Sequence, residues 1–160
     1  MKKKIGIITL GEKAFLSDAC YGTVCNGNCT IDTIPGEYIA FITRSESQSP
    51  YIGGRISNLF VVHKDFYPTY KKMPKNDKEM LFCGVDSGTC GIYDEEYYRK
   101  YHTESEVDDE WYEKNVIEME EFNITDNLGV ISRSGCGDGL YPVYADYKDG
   151  KAFALRVNFL

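Results

Sequence analysis

The sequence predicts an α+β fold made mainly of antiparallel β, a compact sandwich or half-barrel with one or two short helices. Three observations predict it. Short segments rich in β-branched and aromatic residues recur between turn residues along almost the whole chain. Two strand-like runs near the end flank Lys148-Asp149-Gly150, and Asp-Gly suits a type I′ hairpin because both central residues tolerate positive φ. Only one region carries a full helix signal. There Ser105 stands as an N-cap before Glu106, Asp108, Asp109 and Glu110, whose carboxylates favour the positive end of the helix dipole.

In chain order, strands are expected over residues 5–10, 38–43, 58–63, 80–85, 89–93 and 128–132, then 140–147 and 151–160. In the last of these, Phe153, Leu155, Val157 and Phe159 alternate with Ala154, Arg156 and Asn158, so one face is core and the other wetter. Pro142 cannot donate to a ladder and is expected at an edge or a bulge. The helix should run from Glu106 to about Asn115, burying Val107 and Trp111 at i, i+4. A shorter helical turn starts at Asp94-Glu95-Glu96-Tyr97. No low-complexity linker divides residues 1–160, which read as a single domain.

Charge excludes some functions. The formal net charge is −7, which works against loose nucleic-acid binding through phosphate neutralisation. Lys2 to Lys4, and Lys71, Lys72, Lys75 and Lys78, read as solvated edges because no aromatic residues interleave with them as a binding track requires. The apolar run after Lys4 stops at Gly11, too short for a secretory signal. Nowhere do 18 apolar residues follow one another, so no membrane partner is expected and the chain reads as cytoplasmic.

The six cysteines then read as free thiols. Cys20, Cys25 and Cys29 lie close together, but zinc would need a fourth ligand from His63, Cys136 or another distant group. Asn26-Gly27 between them has the plainer meaning of a tight turn. Neither a metal nor another cofactor is expected.

The chemistry-bearing residues fall in a few clusters. Ser17-Asp18-Ala19-Cys20-Tyr21 and Tyr93-Asp94-Glu95-Glu96-Tyr97 each follow an apolar strand and share Asp-x-x-Tyr. In the plainer reading Asp caps the turn and Tyr packs over it. In the sharper one, both strand ends meet at a shared site. Ser87, in Asp86-Ser87-Gly88, invites a nucleophile reading but needs a base that only His63 or His102 offers as an imidazole. The Gly-x-Ser-x-Gly elbow is absent. Arg133 precedes Ser134-Gly135-Cys136-Gly137-Asp138-Gly139-Leu140-Tyr141, where alternating glycines can turn main-chain N–H groups toward an anion. The plainer reading of that run is a hairpin or bulge that needs positive φ. Arg44 and Arg55 flank a polar loop able to close over a ligand, and thirteen tyrosines offer flat faces and hydroxyls.

Five segments also carry a resemblance: Leu16-Ser17-Asp18-Ala19-Cys20-Tyr21; Pro35-Gly36-Glu37-Tyr38; Asn58-Leu59-Phe60-Val61-Val62-His63-Lys64-Asp65; Val85-Asp86-Ser87-Gly88-Thr89-Cys90-Gly91-Ile92-Tyr93-Asp94; and Ser134 through Tyr144. In this order, over nearly the full length, they resemble the landmarks of a group of uncharacterised phage and bacterial proteins, a domain of unknown function. Ala19 departs from the Asp-Pro-Cys-Tyr run frequent there. The resemblance implies a compact β-rich fold and a phage accessory context, and it supplies no catalytic residues.

These readings combine into one functional expectation. It is a phage-type counter-defence protein that binds and sequesters a small nucleotide-like signalling molecule without catalysis, as a homo-oligomer with its pocket at a protomer junction. The expected ligand contacts are Arg133, Ser134, Gly135, Gly137, Asp138, Gly139 and Tyr141 from the glycine run. Asp18, Tyr21, Asp86, Ser87 and Asp94 from the strand ends, with Arg44 and Arg55, complete the set. The alternative is a protein-interaction module that blocks a host protein; a metal-dependent hydrolase ranks third.

Overall fold

In the computed structural model, which describes residues 1–25, 27–70, 72–75 and 81–160, the strands form two antiparallel sheets. The six-stranded sheet has the order β1 (Lys2–Leu10), β4 (Gly36–Arg44), β5 (Ile56–His63), β11 (Lys151–Asn158), β10 (Gly139–Lys148) and β6 (Leu81–Val85). The five-stranded sheet has the order β3 (Cys29–Asp32), β2 (Lys13–Ser17), β7 (Thr89–Asp94), β9 (Gly129–Arg133) and β8 (Phe122–Thr125). Two short helices, α1 (Glu95–Tyr101) and α2 (Asp109–Tyr112), follow β7, and α2 continues into a π-helical turn over Glu113–Ile117. The expected α+β sandwich is what the chain forms. Met80 of the expected sixth strand, Asn26 of the expected Asn-Gly turn, and Lys71 and Lys78 of the lysine cluster lie outside the described residues.

The chain crosses between the sheets in pairs. Strands β6 and β10 neighbour each other in one sheet while their continuations β7 and β9 neighbour each other in the other. Two crossovers, 86–88 and 134–138, therefore lie side by side at one end, joined by Ser134 N–H donating to Gly88 O at 3.0 Å. The same arrangement occurs where β1 passes to β2 and β3 to β4, joined by Thr33 N–H to Glu12 O at 2.8 Å. Because β2 pairs with β7 antiparallel, Ser17 opposite Gly91 and Ala14 opposite Asp94, these two crossover pairs occupy opposite ends of the sandwich.

Three apolar layers hold the sheets. Ile8, Leu16, Tyr38, Leu59, Ile92, Leu155 and their neighbours fill the space between them. Phe15, Tyr93, Tyr98, Trp111, Val116 and Ile131 join the five-stranded sheet to the helices. Ile39, Phe41, Phe60 and Val62 lie on the outer face of the six-stranded sheet beneath Tyr67, Tyr70 and Met73. Full burial of each large aliphatic or aromatic side chain stabilises the fold by roughly 1.5–3 kcal/mol.

The C-terminal hairpin has Asp149 at φ 52° and Gly150 at φ 79°, as the type I′ reading requires. Pro142 pairs with Phe82 of β6, while the ladder to β11 begins at Val143, so the proline stands at a local edge. The alternation of the last strand is broken by a bulge: Asp146 pairs with Ala154 and Tyr147 with Ala152. Phe153 is thereby turned to the outer face, stacked on Phe66 with centroids 4.6 Å apart, and Ala152 takes the inward place.

The helices depart from expectation, the first at its end and the second at its start. Asp94 caps α1 by accepting Tyr97 N–H, and what was expected as a short turn runs on to Tyr101. The second helix is capped by Asp108, which accepts Trp111 N–H at 2.8 Å, rather than by Ser105. The three residues' difference has a local cause. Thr103 exchanges hydrogen bonds with Glu106 and His102 bridges Val107, so residues 102–107 close a loop before the helix begins.

Candidate functional site

The end of the sandwich with crossovers 86–88 and 134–138 gathers most of the residues singled out in the sequence. At its centre is Asp18, fully buried just after β2. Its Oδ2 accepts Asp86 N–H and Ser87 N–H, each at 2.7 Å; its Oδ1 accepts Cys20 N–H at 2.8 Å and the Ser87 hydroxyl at 2.6 Å. A carboxylate with four donors is a strong local knot, since hydrogen bonds to charged groups are about twice as strong as neutral ones. It fixes the Asp86-Ser87-Gly88 turn from beneath, and Tyr21 O–H fastens it from outside by donating to Asp86 Oδ2 at 2.5 Å.

The neighbouring glycine loop is held through its carbonyls. Ser134 and Tyr141 hydroxyls both donate to Gly137 O, at 2.6 and 2.7 Å, and Arg55 Nη1 donates to Gly135 O at 3.1 Å. Arg133 at the end of β9 donates from Nη2 to Met119 O and from Nε to Glu120 O, which ties the loop to the end of the π turn. Asp138 and Gly139 are exposed beyond it.

One expected residue lies at the opposite end, and another is held in an ion pair beside the glycine loop. Asp94 is at the opposite end, where it accepts Gly11 N–H at 2.8 Å as well as capping α1. The two Asp-x-x-Tyr segments therefore lie at opposite ends; the plainer capping account describes Asp94, whereas Asp18 caps its own turn through Cys20 N–H and also clamps the 86–88 turn. Arg44 donates to Glu121 from Nη1 at 2.9 Å and Nη2 at 2.5 Å, and Nη1 also donates to Gly54 O. That pairing holds the Glu121 carboxyl below its usual range.

Cys20 and Tyr112 join the cluster without having been expected in it. Burial first, then Asp18, pushes the Cys20 thiol up to about 12, so it stays protonated at neutral pH. The half-buried Tyr112 phenol is raised by burial and by Cys20 and Asp18, with Ser87 and Arg133 acting against the shift. Cys20 lies inside the Asp18–Tyr21 landmark and was legible there only as a thiol. Nothing local in the sequence places Tyr112, which arrives from the helical layer.

Ser87 has no imidazole base among the described residues. Its hydroxyl contacts Asp18 and, at 2.7 Å, Thr89 Oγ1. His63 lies by Pro35 O and Asp65 N–H. His102 is buried with Nδ1 2.9 Å from Tyr98 O and Nε2 3.1 Å from Ala19 O, and burial holds its pKa down. Among the described residues no three His, Cys, Asp or Glu side chains are placed to hold a metal ion. No helix among them is long and apolar enough to cross a membrane.

No protein-family model matches the chain, and no curated protein or solved structure matches it either.

The glycine loop itself yields a test. Gly135 has φ 60°, and a Cβ there would come within 2.3 Å of Ile56 O, a backbone atom. Gly137 has φ 88° with open space around it. Gly135→Ala should therefore destabilise the protein by about 2–3 kcal/mol and Gly137→Ala by about 1 kcal/mol, the latter from backbone strain alone. Paired urea unfolding curves check this. Equal losses would mean that close packing at Gly135 does not constrain the loop.

Proposed function

We propose that the chain is a non-catalytic binding protein whose working surface is this end of the sandwich, and that it sequesters a small anionic, nucleotide-like molecule. The observation that carries the reading is convergence. Residues from four separate stretches of chain, among them Tyr21, Arg55, Ser87 and Arg133, meet around two rigid crossovers, with an aromatic ring from Tyr112 at their side. Arg133 supplies positive charge, the tyrosines supply faces for a base, and the Ser87 hydroxyl is engaged by the Asp18 carboxylate in holding its own turn, which suits holding a ligand. In the phage setting that the resemblance implies, such a protein removes a defence signal from the host cytoplasm.

Thermal unfolding against a panel of linear and cyclic nucleotides tests this. A ligand at a hundred times its Kd stabilises by about 2.7 kcal/mol. For a chain of this size each kcal/mol corresponds to about 2–4 °C. The ligand should be recovered unchanged, and Arg133→Ala should weaken binding about 10- to 100-fold, as loss of a charged hydrogen bond does. A recovered product would make the chain an enzyme, and a panel without any shift would sink the nucleotide reading.

A second reading has its own observation. Leu140 and Phe82, 64% and 38% exposed, stand on adjoining strands directly beside the glycine loop. Exposed apolar groups there suit a protein-interaction module that blocks a host protein. That reading predicts no nucleotide shift and loss of the partner on Leu140→Asp.

A further inference from the structure

Behind the 86–88 crossover, two thiols from different sheets face one another. Cys83 of β6 and Cys90 of β7 are both fully buried, with their Sγ atoms 3.3 Å apart. The strands are not ladder neighbours: β6 pairs with β10 and β7 with β2 and β9. The contact is therefore made across the layer, close to where the chain passes from one sheet to the other. Nothing in the cluster around Asp18 uses these sulfurs for a hydrogen bond.

We propose that Cys83 and Cys90 are a disulfide-competent pair that closes when the chain folds in the presence of a low-molecular-weight disulfide such as oxidised glutathione. The first thiol, as thiolate, attacks the glutathione disulfide to form a mixed disulfide and releases one glutathione thiol. The second thiol then attacks the protein sulfur of that mixed disulfide and releases the other. Two protein S–H bonds are lost and one protein S–S bond is gained; glutathione disulfide takes up the two electrons and two protons as two thiols. Sulfurs already 3.3 Å apart need to approach by little more than one ångström to reach the bonded distance of about 2 Å. The hydrogen bond with Cys83, and then burial, raise the Cys90 thiol well above its usual range, so exchange belongs to the open chain during folding, before the sheets close over it. The bond would tie β6 to β7 across the base of the turn that Asp18 clamps. It would leave the half-buried Cys20, Cys25 and Cys29 and the exposed Cys136 free.

The test is refolding of the full chain from denaturant in a reduced and oxidised glutathione buffer, followed by acid quenching, alkylation and intact-mass and peptide mapping. Expected is a monomer lighter by about 2 Da before alkylation and carrying four alkyl groups rather than six after it, with one peptide pair joining Cys83 to Cys90, reversed by dithiothreitol. The oxidised form should melt a few degrees higher, as closing a short loop in the unfolded chain predicts. Cys83→Ser and Cys90→Ser should each lose the mass change, and Cys136→Ser should keep it. Oxidation confined to Cys20, Cys25, Cys29 or Cys136, or alkylation of both Cys83 and Cys90 after refolding, would overturn the proposal.

Discussion

Asp18→Ala should lower the stability of the protein by about 4 kcal/mol, the largest loss expected for a polar side chain in this fold. The carboxylate accepts four hydrogen bonds, three from backbone N–H groups of Cys20, Asp86 and Ser87 and one from the Ser87 hydroxyl. Losing the acceptor leaves those donors unsatisfied at about 1–3 kcal/mol apiece when they stay buried. The losses do not simply add, because Asp86 is exposed and Ser87 half-buried, so water can reach part of the opened turn. Asp18→Asn keeps one acceptor oxygen but aims an amide donor at other donors, and should lose about 2–3 kcal/mol. Ser87→Ala removes only the hydroxyl and should lose about 1 kcal/mol. Midpoints of urea unfolding at constant slope check the series. If Asp18→Ala stayed within about 1 kcal/mol of the unaltered chain, the turn would be held by its own strands rather than by the carboxylate.

That knot also marks the boundary of what the sequence makes legible. The strands and the Asp149-Gly150 hairpin depend on short-range patterning and turn chemistry, and they lie close to where the pattern puts them. The second helix depends on a choice between two good caps three residues apart. It was settled by hydrogen bonding between Thr103 and Glu106 and by the His102–Val107 bridge, which no local rule weighs. Phe153 leaves the face that its alternation predicts because a bulge shifts the period-two pattern by one residue.

The site was legible as separate pieces. Asp18, Asp86, Ser87 and the glycine run each look like turn chemistry; that they touch is a consequence of paired crossovers between sheets. The same topology separates Asp94 from Asp18 although their local sequences match, because antiparallel pairing of β2 with β7 sends the two strand ends in opposite directions. Tyr112 was out of reach for a different reason. Its place depends on how the helices lie on the five-stranded sheet, through a layer centred on a residue beside it in sequence.

That residue is Trp111, and Trp111→Ala should lower stability by about 4 kcal/mol, in the range for emptying a buried aromatic site. Trp111 is 4% exposed, and its ring lies among those of His102, Tyr101, Tyr93 and Tyr97, with centroids 4.7 to 6.5 Å away. Its Nε1–H donates to Tyr97 O–H at 2.8 Å, and Tyr97 O–H in turn donates to Asp126 at 2.7 Å, so one side chain links both helices to the β8–β9 turn. Trp111→Phe keeps much of the apolar contact and forfeits the donor; it should lose about half as much. Because Trp111 is the one tryptophan of the chain, unfolding is followed by far-ultraviolet circular dichroism rather than by its fluorescence. The helical layer packs through an apolar cluster of its own, distinct from the one between the sheets. Amide exchange should therefore quicken over residues 95–119 before it does in the central strands. A ligand held at the Tyr112 edge should also bind Trp111→Ala more weakly, with Asp18 and its turn still intact. If exchange instead rose uniformly through both sheets, the helices and the sandwich would unfold as one unit, and Tyr112 would be positioned by the whole fold rather than by the layer around Trp111.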